Sequence, residues 1–159
     1  MGKKRTEIVK VDIKKLISLL NKALADEWLA YYQYWIGAKV VRGPTQPEVS
    51  SELIEHAKEE LEHAEKLVDR ILQLGGKPIL DPSEFNKQSN CGYLAPKDHN
   101  IKAVLKQNLE GERCAIEIYD DLLKMAKDKD EITYNIILSI LTDEIKHETD
   151  LENLLDNLE

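Results

Sequence analysis

The sequence is poor in the residues that mark several large classes of protein. Its two cysteines are too few for the disulfide framework of a small secreted domain. Aromatic residues make up only 6% of the 159 residues, and most of the five prolines and seven glycines lie in two short regions. No apolar run approaches the length of a membrane span. We therefore expect neither a secreted scaffold nor a β-sandwich nor a membrane protein, and we predict a cytoplasmic location.

Positive charge is also in the minority. The sequence has 22 Lys and Arg against 30 Asp and Glu, a net charge of −8. An acidic chain does not attract the phosphate backbone through its overall field, so DNA is not an expected partner. The only support for DNA binding comes from a few basic residues near the start of the sequence: Lys3, Lys4, Arg5, Lys10, Lys14 and Lys15.

Strong helix formers dominate the remainder of the sequence, and four segments have helical periodicity. We predict helices over residues 12–42, 47–74, 98–127 and from 130 almost to the end, with Asp12 and Asp130 as N-caps. The first and third connections are short, whereas residues 75–96 form a long crossover in which a short helix is possible at 82–87. The sequence predicts an all-α fold of two antiparallel helical hairpins. We assign residues 1–159 to one domain with a short basic N-terminal tail, residues 1–11.

One glutamate interrupts the apolar stripe of each predicted helix. The four are Glu27, Glu60, Glu112 and Glu144, and each stands at a step of three or four residues from its apolar neighbours. Four carboxylates that converge in a core would be costly to desolvate and would repel one another. Two bound cations would neutralise them, so this pattern indicates a metal site inside the bundle.

Two histidines strengthen this interpretation. His63 follows Glu60 by three residues and His147 follows Glu144 by three, a spacing that lets both side chains bind one ion. The in-stripe glutamates stand 33 residues apart in the first hairpin and 32 in the second, which puts them at one depth. Such a ligand set is typical of di-iron carboxylate bundles. We predict these six metal ligands: Glu27, Glu60, His63, Glu112, Glu144 and His147.

The alternative is that the charges belong to solvated helix faces. For the six predicted ligands this would require the inward-facing side of all four helices to be assigned incorrectly. We predict that several other acids do face water or a neighbouring subunit: Glu52, Glu55, Glu59, Glu62, Glu65, Asp69, Asp120 and Asp121. His56 has no matching partner on the fourth helix, so we predict no metal role for it. His99 is expected only to cap the third helix.

The motif segments 20–27, 60–67 and 143–147 resemble those of bacterioferritins, and the resemblance covers nearly the whole chain. It implies a ferritin-like four-helix bundle with two iron ions per subunit, although the ligands would also accept manganese. By this likeness Glu60 and Glu144 bridge the two ions, and Tyr34 corresponds to a family tyrosine beside the metals.

Three differences from bacterioferritins indicate which group of ferritin-like proteins the sequence resembles most. Leu61 stands where bacterioferritins have the methionine that binds haem, so no haem is expected. Only 12 residues follow His147, which leaves no room for the fifth helix of 24-subunit ferritins. The long crossover resembles that of Dps proteins, which form 12-subunit cages. Thioferritins, also called Dps-like proteins, combine these traits and have a cysteine pair beside the metals, which Cys91 and Cys114 resemble.

The resemblance implies a peroxide-consuming ferroxidase that stores ferric oxide in a homo-oligomeric, dodecameric cage and protects against oxidative stress. Its substrates would be Fe(II) and hydrogen peroxide, or dioxygen. Two other interpretations remain: a DNA-protecting nucleoid protein, and a manganese catalase or rubrerythrin-like peroxidase. The two cysteines are fewer than the four of the rubrerythrin iron domain.

Overall fold

The computed structural model describes residues 3–158, and its regular structure in that range is helical. The predicted all-α fold is confirmed. The helices, numbered along the chain, are α1 (Lys4–Glu7), α2 (Ile13–Val40), α3 (Gln46–Gln73), α4 (Phe85–Gln88), α5 (Ile101–Ala126) and α6 (Glu131–Asp156). Helix α2 packs mainly on α3 and α5 mainly on α6, which gives the two predicted hairpins.

The helix ends follow local capping. Asp12 accepts a hydrogen bond from the Lys15 backbone N–H, and Asp130 accepts one from that of Thr133, as predicted. Helix α5 begins later than predicted, and its N-cap is Asn100 rather than His99. The His99 carbonyl instead accepts from the Arg42 N–H at 2.7 Å, so the prediction that His99 caps the helix is wrong.

The long crossover contains the predicted short helical segment, a 3-10 turn at Pro82–Glu84 that continues into α4. Asn21 holds the start of the crossover by donating to the Lys77 carbonyl and accepting from the Ile79 N–H. The ring of Phe85 stacks on that of Trp28, with centroids 6.1 Å apart. The crossover is therefore fixed along one side of α2.

The bundle core is divided into two apolar clusters. One contains Leu16, Leu20, Leu67 and Ile140, and the other contains residues towards the opposite end of the bundle, including Leu53 and Leu105. Between them the four stripe glutamates and their histidines form a polar layer. This division places the polar side chains at one depth near the middle of the long helices.

A buried ion pair fixes α3 against the start of α6. Arg70 donates to both carboxylate oxygens of Asp130 at 2.9 and 2.8 Å and to the Thr133 hydroxyl at 2.8 Å. Burial opposes the charged form of Asp130, but the Thr133 hydroxyl and the Arg70 guanidinium lower its pKa below the ordinary value. The pair is satisfied by protein groups alone.

The predicted basic tail is partly ordered against the bundle. Met1 and Gly2 lie outside the described residues, but Arg5 of α1 donates to the Gln73 carbonyl at 2.7 Å. The Lys10 N–H donates to the Lys129 carbonyl at 2.8 Å. Across residues 3–158, no helix combines the length and the apolar character needed to cross a membrane. The assignment of residues 1–159 to one domain stays a prediction.

Candidate metal centre

The six predicted ligands lie together in the polar layer of the bundle, and each is almost fully buried. The exposed fraction of each carboxylate residue is at most 3%, and both histidines are completely buried. Each long helix contributes one glutamate, and α3 and α6 each add the histidine one turn further on: Glu27, Glu60, His63, Glu112, Glu144 and His147.

In the His63 half of the centre, three carboxylates surround one imidazole nitrogen. His63 Nδ1 lies 3.4 Å from Glu27 Oε2, 3.3 Å from Glu60 Oε2 and 3.1 Å from Glu144 Oε1. One donor atom from each of these four residues lies within 4.8 Å of all the others. The four atoms could therefore hold one ion.

The His147 half repeats this arrangement. His147 Nδ1 lies 3.2 Å from Glu60 Oε1, 3.4 Å from Glu112 Oε1 and 3.4 Å from Glu144 Oε2. Glu60 and Glu144 therefore present one oxygen to each half, which is the arrangement that two bridging carboxylates require.

The protein alone leaves the donor atoms of the centre unsatisfied. Glu27 Oε2, Glu60 Oε1, Glu112 Oε2, both Glu144 oxygens and Nδ1 of His63 and His147 are buried without a hydrogen-bond partner. Buried polar atoms are normally paired, and leaving one unpaired costs about 1–3 kcal/mol. Donor atoms about 3 Å apart are what ligands at about 2.1 Å from a shared ion would show. The residues present thus fit two cations bound by oxygen and nitrogen.

Protons must otherwise balance the four carboxylates. Burial and the neighbouring Glu27 carboxylate raise the pKa of Glu60 to about 8. Burial and Glu144 likewise raise the pKa of Glu112 well above its ordinary value. For His147, burial favours the neutral ring, but nearby carboxylates outweigh it and raise the pKa. Cations that bind here would displace these protons, so binding should be pH-dependent.

Two tyrosines orient the terminal glutamates from the opposite hairpin. Tyr34 of α2 donates to Glu112 Oε1, and Tyr119 of α5 donates to Glu27 Oε1. Burial and the accepting carboxylate raise the pKa of each phenol, which keeps both hydroxyls protonated as donors. Tyr119 is not among the predicted site residues, although it follows Glu112 by seven residues, as Tyr34 follows Glu27.

The outward nitrogen of each histidine meets a further acid that the prediction also missed. His63 Nε2 lies 3.0 Å from Asp143 Oδ2, and His147 Nε2 contacts Glu59 Oε2. These acids directly precede Glu144 and Glu60, the glutamates shared by the two halves, on the opposite helix. A carboxylate on Nε2 fixes the tautomer that turns the Nδ1 lone pair inwards. Glu59, predicted to face only water or a neighbouring subunit, is half-buried because it reaches across the contact between α3 and α6.

His56 is completely buried beside the centre. Its ring stacks on that of His147 with centroids 4.0 Å apart, and its Nε2 lies 3.3 Å from Glu52 and 3.5 Å from Asp150. Burial and the neighbouring His147 lower its pKa to about 3. Glu52 was also predicted to face water or a neighbouring subunit, but it is half-buried against His56.

The two cysteines lie beside the centre and are joined in a disulfide, with Cα atoms 6.0 Å apart. Asp26 holds this part of the crossover by accepting from the Asn90 and Cys91 N–H groups, at 2.9 and 2.8 Å. A cavity of about 100 Å³ extends from the buried carboxylates to the disulfide and to the exposed Glu110. Small molecules could therefore approach the centre past the disulfide.

Comparison with known proteins agrees with this architecture. Residues 17–159 match the family described as Ferritin-like domain. The chain is 40% identical over 148 residues to the "DNA protection during starvation protein" of Pyrococcus furiosus, an alignment that covers 91% of this chain and 79% of that protein. It is 31% identical over 142 residues to the bacterioferritin of Rhodobacter capsulatus, covering 87% and 81% of the two chains.

Among solved structures, the fold is similar to that of a dodecameric thioferritin, the bacterioferritin-related protein of Bacteroides fragilis. The two structures superpose with a TM-score of 0.93 at 44% sequence identity, covering 94% of this chain and 89% of the other. This likeness agrees with the resemblance carried by the predicted metal-ligand motifs and the cysteine pair. The chain belongs to the ferritin-like family.

Proposed function

We propose that the protein is a peroxide-consuming ferroxidase that stores iron in a homo-oligomeric cage and protects against oxidative stress. One observation carries this proposal: six buried side chains of the predicted ligand set converge, each with at least one donor atom unsatisfied, next to a disulfide-lined cavity. Hard carboxylate oxygens stabilise ferric iron, and imidazole suits both oxidation states. Two iron ions held side by side there would supply two electrons to one hydrogen peroxide, which takes up two protons to give two waters.

The chain's own residues would prepare the centre for this reaction. Glu60 and Glu144 would bind both ions, while Glu27 with His63 and Glu112 with His147 would complete the two halves. Asp143 and Glu59 would hold the imidazoles in the ligating tautomer. Tyr34 and Tyr119 would fix the terminal carboxylates, which leaves little rearrangement for the moment of reaction. The apolar clusters above and below would restrict water to the cavity.

The dodecameric thioferritin supports the cage through its overall similarity, and we propose a 12-subunit assembly for this chain. Manganese in place of iron and dioxygen as the oxidant stay alternatives, whereas the absence of haem and the cytoplasmic location stay predictions. Metal analysis of freshly isolated protein, together with its molar mass in solution, would test the metal and the assembly. A monomer or dimer would contradict storage in a cage.

The decisive experiment replaces the shared carboxylates. Glu60→Ala and Glu144→Ala should each reduce peroxide-dependent Fe(II) oxidation to the background rate, because each removes an oxygen from both halves. Exposed Glu62→Ala, two residues from Glu60 on α3, is the matched control and should behave as wild type. Rapid turnover in both shared-carboxylate variants would contradict the metal assignment.

The disulfide supports a role for the cysteines in repeated turnover. Once a thiol reductant has opened the bond, Cys91 and Cys114 would supply two further electrons to the oxidant and release two protons as the disulfide re-forms. Cys91→Ser should therefore consume less peroxide than wild type over repeated cycles with reductant present. A variant that matches wild type through these cycles would remove the cysteines from the mechanism.

DNA protection remains a second candidate because the name of the Pyrococcus furiosus relative describes that role. The charge of this chain argues against direct binding, and of its basic residues Lys4 forms an ion pair with Glu7. We expect no shift of duplex DNA at moderate salt. A salt-resistant shift would favour the nucleoid function.

A further inference from the structure

A second polar cluster lies behind the His147 half of the centre. Its middle residue, His56, is completely buried, and its Nδ1 has no hydrogen-bond partner. Its Nε2 faces Glu52 Oε1 at 3.3 Å and Asp150 Oδ2 at 3.5 Å. The two acids are reachable from solvent, since 36% of the Glu52 side chain and 28% of the Asp150 side chain are exposed.

His56 belongs to two groups of donor atoms at once. In the outer group, one atom each from Glu52, His56 and Asp150 lies within 4.8 Å of the others. In the inner group, the same holds for His56, Glu112 and His147. One imidazole thus stands between a partly exposed pair of carboxylates and one half of the metal centre.

The corresponding positions in the other half have no such cluster. His56 stands seven residues before His63, whereas Ile140 stands seven before His147. The positions that match Glu52 and Asp150 are Ile136 and Lys66 by the same count. The His63 half also brings together one imidazole and three carboxylates, but no second cluster lies beside them among the described residues. Neither the fold nor the binding of two ions therefore requires such a cluster.

We propose that Glu52, His56 and Asp150 form a third divalent-cation site that passes Fe(II) from solvent to the His147 half of the centre. The proposal rests on the function proposed above and adds a loading route to it. Two carboxylates and one imidazole are suitable ligands for Fe(II). Three ligands at a partly exposed site should bind more weakly than the buried centre, so an ion can leave inwards.

Binding at this site changes protons but not oxidation states. The Nε2 of His56 must offer its lone pair, so the ring proton then resides on Nδ1, and the iron remains Fe(II). Lys146 Nζ lies 2.8 Å from Asp150 Oδ2 and would have to move away. Its side chain is 57% exposed, which leaves it free to turn into solvent.

Co(II) is a suitable probe because it does not oxidise readily and its visible bands report its ligands. Equilibrium dialysis of the intact protein should find a weaker Co(II) in addition to the ions of the buried centre. The double variant Glu52→Gln/Asp150→Asn should lose that weaker ion and its absorption while keeping the tighter ones. Glu55→Gln, an exposed glutamate on the same helix paired with Lys58, is the control and should bind as wild type.

Lys146→Gln removes the competing ammonium and should bind the weaker Co(II) more tightly than wild type. The proposal is overturned if wild type binds no ion beyond the buried centre, or if the double variant keeps the weaker ion. Loss of the tighter ions in Glu144→Ala tests the proposed function separately. For delivery, stopped-flow mixing with limiting Fe(II) should show slower oxidation in the double variant but not in Glu55→Gln. Equal rates would overturn the loading role.

Discussion

The two halves of the centre differ in the residues that lie next to them, although His63 and His147 themselves have matching partners. In both halves Nδ1 of the imidazole meets three carboxylates, one of which is a terminal glutamate held by a tyrosine from the other hairpin, and Nε2 meets a fourth acid. Each of these glutamates, histidines, tyrosines and outer acids in the first hairpin has a counterpart in the second hairpin, 84 or 85 positions later in the sequence. What recurs in both halves is what the two proposed ions would require.

The residues that occur in one half only are candidates for a purpose beyond holding two ions. Cys114 follows Glu112 by two residues, whereas Leu29 follows Glu27 by two. His56 similarly has Ile140 as its counterpart. Cys114 is next to a glutamate of the His147 half, but the cavity beside the disulfide is lined by glutamates of both halves. The His56 cluster is therefore the asymmetric feature, and it supports the proposal that ions enter through one half of a centre whose metal contacts are otherwise alike.

The largest expected effect comes from removing one terminal carboxylate from each half in turn. Glu27→Ala and Glu112→Ala should each lower the affinity for one ion by at least about 100-fold. This loss exceeds that caused by removing a residue that only hydrogen-bonds to a ligand. We expect the smaller loss for Glu112→Ala, because one donor atom each of His56, Glu112 and His147 lies within 4.8 Å of the others, so that the His56 ring is placed to supply a substitute ligand. Co(II) dialysis measures both affinities, and equal losses would show that His56 does not reach the ion.

A smaller effect is expected from the acids behind the histidines. Asp143→Asn and Glu59→Gln should each lower the affinity for the ion of one half by about 10–100-fold, because the neutral amide no longer fixes the histidine tautomer that binds the ion. Similar losses in the two variants would confirm that the halves hold their ions alike. Glu62→Gln, on the same helix as Glu59, is the control for a change of charge, and any comparable loss there would point to a long-range charge effect instead.

The features that the sequence predicted are those governed by local rules. Asp12 and Asp130 cap their helices because a side chain three residues from an N–H can satisfy it. The stripe glutamates could be found because a charged residue inside an apolar period is directed into the core, where it needs a partner. Equal spacing in the two hairpins then placed them at one level.

The missed residues depend on contacts between helices. Glu59 and Asp143 lie about 100° around the helix from their neighbouring ligands, so periodicity alone turns them towards solvent. Only the closeness of α3 and α6 brings them to the histidines. Tyr119 resembles an apolar core residue until its spacing from Glu112 is compared with that of Tyr34 from Glu27. The disulfide depends on where a long crossover lies, which no local pattern determines.

The smallest expected effect concerns stability, and it tests whether His56 is retained for function. His56→Leu makes the two halves alike by placing an aliphatic side chain opposite the position of Ile140. An unpaired buried polar atom costs about 1–3 kcal/mol, so the variant should unfold with an equal or higher free energy, despite losing the contact with Asp150. Urea unfolding with a chelator present, compared with wild type and with exposed Glu62→Gln, measures this difference.

The pH dependence of that difference has a definite sign. Because the folded pKa of His56 is about 3, the unfolded chain binds a proton there as pH falls below about 6.5, while the folded chain stays neutral. Wild type therefore loses stability through His56 between these two pH values, and His56→Leu does not. The advantage of the variant should widen as pH is lowered from 7 towards 5. A variant that is less stable than wild type throughout would instead make His56 a structural residue, and the asymmetry between the halves would then follow from packing.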